Sequence, residues 1–158
     1  MAIRIDSSAF KHNERIPVRH TGDGEDVSPP LAWSGIPAGT KELALIMDDP
    51  DAPTPQPWVH WVISKLPATL NGLPENVSRT PRPHGELAAA IQGSNSWEEV
   101  GYKGPAPPKG HGTHHYHFRL YALDTELSAQ AGPNKMALLA AMDGHILDTG
   151  ELIGTYAR

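Results

Sequence analysis

The alternation of apolar and polar positions is clearest over residues 114–123, HHYHFRLYAL. His114, Tyr116, Phe118 and Leu120 fall on one face, and His115, His117, Arg119 and Tyr121 on the other, the period of two that marks a strand. The first set becomes apolar as it proceeds, so it is the inward face. Residues 42–47, ELALIM, are apolar on both faces and predict a buried strand. That strand should stop at Asp48-Asp49-Pro50-Asp51-Ala52-Pro53, where acids and prolines crowd together. Alternation still puts Asp49 on the face of Leu43, Leu45 and Met47. Residues 58–63, WVHWVI, form a second strong strand, with His60 on the face of Trp58 and Val62. Shorter strands are expected around Ile3 and Ile5, at 31–33 and at 152–156. A 3.6-residue period appears once, over 133–147, with Asn134 as N-cap, a stripe of Met136, Leu139, Ala140, Asp143 and Leu147, and Gly150 past its end. Residues 67–84 read as a proline-rich loop, and the apolar run 87–91 has no clear type.

Sixteen prolines and fifteen glycines in 158 residues turn this pattern into a fold class: many short elements joined by turns, mostly β, in a single domain spanning 1–158. A net charge of −5 argues against non-specific nucleic-acid binding or an anionic membrane surface as partner. The absence of cysteine excludes disulfides, thiolate catalysis and Cys-based zinc sites. The N-terminus has no apolar core segment and no run of 18 apolar residues occurs, so neither a signal peptide nor membrane insertion is expected, and the cytoplasm is the default location.

The candidate chemistry lies where the loop 101–113 enters the 114–123 strand. Gly104, Gly110 and Gly112 allow close backbone approach, while Pro105, Pro107 and Pro108 stiffen the loop. With His114 and Tyr116 side by side at the head of the inward face, the segment predicts a small polar pocket. No phosphate-binding P-loop, HExxH zinc helix or GxSxG elbow is present. The cluster His111, His114, His115 and His117 suggests metal, but alternation turns His115 and His117 away from His114. Two readings stay open: a 2-His-1-carboxylate set of His114, His60 and Asp49, and a hydrogen-bonded pocket in which Asp49 orients and charges an imidazole. Ser94, Ser96 and Thr113 could serve a nucleophilic triad, though none sits in an elbow. Trp58, Trp61 and Trp97 suit core or pocket wall. Asp23, Glu25 and Asp26 lack calcium-loop spacing and read as a solvated acidic turn.

Taken together, 21-TGDGEDVSPPLAWSGIPAGTKELAL-45, 48-DDPDAP-53, 58-WVHWVISKLPA-68 and 102-YKGPAPPKGHGTHHYHFRLYALD-124 resemble the phosphatidylethanolamine-binding protein family, in its short bacterial and archaeal, Raf-kinase-inhibitor-like branch. The resemblance implies an antiparallel β-sandwich, Greek-key-like, with a few short peripheral helices. It also implies a small cavity at one end of the sheet that takes phosphate, acetate or a phosphoryl head group. Carried over by position, the ligand-binding residues are Asp49, His60, His114 and Tyr116, with Gly104, Ala106 and Pro107 as a backbone-lined wall. Ala106 stands where animal members carry glycine, and the Ala52–Pro53 bond is expected to be cis. A homodimer is a state to expect from the bacterial members.

These readings converge on a small-anion or phospho-ligand binding protein without catalysis or cofactor, able to regulate a partner through a phosphorylated group. Either Asp49 raises the pKa of His60 or His114, so that an imidazolium holds the anion, or Asp49 shares a proton with a monoanionic ligand. In the first case affinity falls as pH rises through histidine titration. Two alternatives are a protease or kinase inhibitor acting through its outer surface, with that enzyme as partner, and a histidine- or metal-assisted hydrolase.

Overall fold

The computed structural model describes residues 3–83, 85–87, 89–128 and 132–158; Ala88, within the apolar run 87–91, lies outside them. The chain forms β1 (Arg4–Asp6), β2 (Leu31–Ser34), β3 (Glu42–Asp49), β4 (Trp58–Pro67), β5 (Gly72–Leu73), β6 (Ile91–Gln92), β7 (His114–Leu123), α1 (Lys135–Met142) and β8 (Ile146–Tyr156). Short 3-10 turns occur at Val18–His20 and Gly85–Leu87. Two antiparallel sheets result, ordered β1-β2-β5 and β6-β4-β3-β7-β8. The chain returns to set β7 beside β3 only after β4, β5 and β6, a long connection of Greek-key type. Among the described residues no helix is long and apolar enough to cross a membrane.

The core follows from the alternation. Leu43, Leu45, Met47, Phe118 and Leu120 point from the large sheet toward Ile3, Ile5, Leu31 and Trp33, and all are buried. Each such side chain removed from water contributes about 2 kcal/mol. The opposite face of β3 explains why that strand is apolar on both sides. Ala44 and Ile46, with Val62, Tyr121 and Leu123, lie under Leu138 and Met142 of α1.

Four sequence expectations change here. First, β3 does not stop before the acids but continues through Asp49, because both carboxylates find partners: Asp48 receives Lys135 Nζ at 2.6 Å, and Asp49 meets His114. Second, α1 is shorter than 133–147 and turned on its axis. Asn134 does cap it, accepting from Ala137 N at 3.0 Å. It ends at Met142, where the chain turns at Gly144 (φ 79°), because residues from Ile146 onward are drawn into ten pairings with β7. The buried positions are therefore Leu138 and Met142, while Met136 stands 81% exposed and Gly150 lies inside β8.

Third, β4 carries a bulge at His60: Met47 pairs with Trp61, whereas Asp48 pairs with Val59. The extra residue resets the alternation. His60 keeps the face of Trp58, but Val62 passes to the α1 side and Trp61 enters the main core. Fourth, every peptide bond among the described residues is trans, Ala52–Pro53 included. The sharp bend after β3 is made instead by backbone turns, with Asp51 N on Asp49 Oδ1 at 2.8 Å and Thr54 N on the Ala52 carbonyl at 2.7 Å. The loop 67–84 and the run 87–91 also yield the short strands β5 and β6.

Candidate ligand-binding site

At the end of the large sheet the last inward residue of β3, the bulge of β4 and the first residues of β7 surround one cavity of about 250 Å³. Asp49, His60, His114 and Tyr116 supply its polar floor; Ala52, Pro53, Thr54, Trp58, Trp97, Ala106, Pro107 and Pro108 complete the lining. Among the described residues no Lys or Arg lines it. All four floor residues are buried, so their hydrogen bonds are made in surroundings where an unpaired polar atom is costly.

Asp49 Oδ2 accepts from His114 Nδ1 at 2.6 Å, a buried charge-assisted contact. His114 Nε2 lies 2.6 Å from His111 Nδ1, so both nitrogens of His114 are engaged and the two imidazoles share one proton between them. His60 donates through Nδ1–H to the Lys103 carbonyl at 2.5 Å and packs edge-on against Trp97 and Tyr116. Burial pushes the His60 pKa down to about 4, against the pull of the Lys103 carbonyl and of Asp49, Asp26 and Asp48. It is therefore a neutral ring whose remaining nitrogen, Nε2, carries a lone pair. Tyr116 is held far above its ordinary pKa by burial and then by Asp49 and Asp51, so its hydroxyl keeps its proton.

Residues 6–157 match a family described as phosphatidylethanolamine-binding protein. The chain belongs to this family. It is 48% identical over 157 residues to the "UPF0098 protein" of Methanothermobacter thermautotrophicus, covering 99% of each. Among solved structures it is similar to Escherichia coli YbcL, described as a new member of the mammalian family, with a TM-score of 0.89 and 31% identity, covering 100% of this chain and 99% of that one. A putative family homologue from Chlamydia trachomatis superposes with a TM-score of 0.88 at 38% identity, covering 99% of this chain and 98% of that one.

Of the residues expected in the pocket from the family resemblance, Asp49, His60, Ala106, Pro107, His114 and Tyr116 come together and Gly104 does not. The Gly104 N–H is spent on Asp26 Oδ1 at 2.7 Å, and a Cβ there would lie 2.2 Å from the His20 carbonyl oxygen. Its role is close backbone packing behind the wall. The same bond corrects the reading of 23–26 as a freely solvated turn: Asp26 also pairs with Arg79, and Asp23 with Arg158 and the Tyr156 hydroxyl.

Of the two imidazoles expected to meet Asp49, His114 hydrogen-bonds it and His60 is held neutral. Asp49 Oδ2 accepts from His114 Nδ1 and its Oδ1 from Asp51 N, which leaves each oxygen a further lone pair. Among the described residues no group of three His, Asp or Glu side chains could hold a metal ion. Ser96 Oγ is engaged with Val59 N at 2.7 Å, and Thr54 Oγ1 donates to the Gln56 carbonyl. Outside the cavity His115 pairs with Asp51 and His117 with Glu151, on the outward face as alternation requires.

Trp58 and Trp97 line the cavity, as expected of pocket wall, but the sequence reading missed their edge-to-face contact at 5.5 Å and His111 as a partner of His114. The signal for His111 was available in Gly110-His111-Gly112: both glycines have positive φ, 76° and 92°, and point the ring three residues ahead to His114. The Trp97 contact spans 39 positions from Trp58 and left no local trace.

Proposed function

We propose that this protein is a binding module for a small phosphorylated ligand, without catalysis of its own, and that the ligand sits on His114, His60 and Tyr116. The observation that carries the reading is the buried Asp49–His114 pair set in a cavity beside an unionised tyrosine hydroxyl. A ligand anion that enters displaces His111 from the hydrogen bond it shares with His114. His114 then offers Nε2–H to an anion while Asp49 balances the charge behind it.

The dimensions suit a head group. About 250 Å³ is below the 300–1,000 Å³ typical of drug-sized pockets. Tryptophan and proline walls would pack against the rest of the ligand. The family's name points to the same chemistry, a phospholipid whose head group is phosphoethanolamine.

Calorimetric titration of O-phosphoethanolamine at pH 6 into the wild type and into His114→Ala tests the reading. Saturable one-site binding that is lost in the variant supports it, with Tyr116→Phe weakening affinity as an independent check. Equal binding to wild type and both variants, or no binding to the wild type, would remove the cavity from the function.

A further inference from the structure

We propose that the cavity reads a proton on its ligand, accepting a singly protonated phosphate monoester and rejecting sulfate or the phosphate dianion, and that His60 makes the selection. The inference rests on the phospho-ligand reading above and deepens it.

It follows from counting polar atoms. Of the four polar side chains on the floor, Asp49 already accepts one hydrogen bond at each oxygen and can only accept more, and both nitrogens of His114 are engaged. His60 and Tyr116 keep the polar atoms without a protein partner among the described residues, and these differ in kind. The Tyr116 hydroxyl donates or accepts. His60 Nε2 only accepts, because its proton is on Nδ1, bound to the Lys103 carbonyl at 2.5 Å. The ring cannot turn to exchange its nitrogens without giving up that bond, and Trp97 and Tyr116 hold it edge-on at 4.9 and 5.2 Å.

An oxyanion bound here therefore meets a lone pair at one of its oxygens. A P–OH donates to it. Sulfate, with no proton at ordinary pH, sets oxygen lone pairs against the lone pair of a buried ring, and a site built for a donor penalises a ligand that lacks one.

The alternative is a protonated His60, which would donate and accept sulfate equally. The acids whose charges favour it are Asp48 and Asp49 from β3 and Asp26 from the 23–26 turn, with the Lys103 carbonyl acting in the same direction. From β7, Tyr116 presents an unionised phenol and His114 is already tied to Asp49. Burial outweighs these charges, and the ring stays an acceptor down to about pH 4.

The test is titration of O-phosphoethanolamine and of sodium sulfate into the wild type, His60→Gln and Tyr116→Phe at pH 5.5 and 8.0. The second ionisation of a phosphate monoester lies near pH 6, so the monoanion becomes roughly eighty-fold scarcer across that interval. Wild-type affinity for the phosphate monoester should fall by about that factor, and at pH 5.5 should exceed that for sulfate by at least about tenfold.

His60→Gln supplies an amide N–H and should bring the ratio toward one. Tyr116→Phe should lower phosphate-monoester affinity while leaving the preference intact, which preserves the test if His60→Gln does not fold. Equal wild-type affinity for the two ligands at pH 5.5, or a ratio unchanged by pH, overturns the selection while leaving the pocket standing. Absence of binding by both ligands at both pH values overturns the pocket and the selection together.

Discussion

Replacing His60 by glutamine should change how stability depends on pH more than it changes stability itself. Folding transfers the His60 ring from water, where its pKa is 6.5, to a site where it is about 4. The neutral ring is the form the fold tolerates, so its stabilising effect is complete above pH 6.5 and is lost as pH falls toward 4. Two and a half units at 1.36 kcal/mol each give about 3 kcal/mol, a large share of the stability of a domain this size. Glutamine never ionises, and with its N–H turned to the cavity it gives up the Lys103 carbonyl. Urea unfolding at pH 7, 5.5 and 4 should show the variant less stable at pH 7 and the deficit shrinking by about 3 kcal/mol by pH 4. The acids whose pKa is lowered by folding, such as Asp51 and Glu151, lose stability in acid in both proteins and cancel from the difference. A deficit that stays constant from pH 7 to pH 4 would refute the reasoning, for it would mean that His60 takes up its proton as readily folded as unfolded.

Other consequences are checked more simply. His111→Ala frees His114 Nε2 from its internal partner, so phosphoethanolamine affinity by calorimetry should rise several-fold; a fall would make His111 a ligand contact and not a competitor. Gly104→Ala places a methyl 2.2 Å from the His20 carbonyl and 2.7 Å from Asp26 Oδ1, and should cost about 1–3 kcal/mol in urea unfolding, whereas an unchanged midpoint would show that the wall yields. Leu138→Ala should cost about 3 kcal/mol and Met136→Ala almost nothing, since the first is buried and the second 81% exposed; the reverse order would return the helix to the face read from its sequence.

What could be read in the chain, and what could not, divides by the range of the interaction. The inward face of β7 follows from alternation because its partners β3 and β8 pair with it across nearly its full length. Asp49, His60, His114 and Tyr116, grouped by the family resemblance, line one cavity, and alternation alone had already turned His115 and His117 outward. Long-range partners decide the rest. Lys135 allows β3 to run on through Asp48, and pairing with β7 claims residues 146–150 from the expected helix. The bulge at His60 is invisible in WVHWVI because alternation assumes one residue per position, and the strand has one too many opposite Met47 and Asp48. That bulge is also what sets His60 in the cavity while Trp61 and Ile63 continue the core.

The central claim is that a phosphorylated ligand enters this cavity and engages the inner histidines. Histidine ring NMR of the 15N-labelled protein, titrated with O-phosphoethanolamine at pH 6, addresses it directly. Its ring resonances also report which nitrogen of each imidazole carries the proton. The account predicts saturable shifts at His60, His111 and His114, loss of the His111–His114 hydrogen bond, and His60 still protonated on Nδ1 alone, with His115, His117 and His145 unmoved. Shifts confined to those three outer histidines would place the anion on the surface and contradict it.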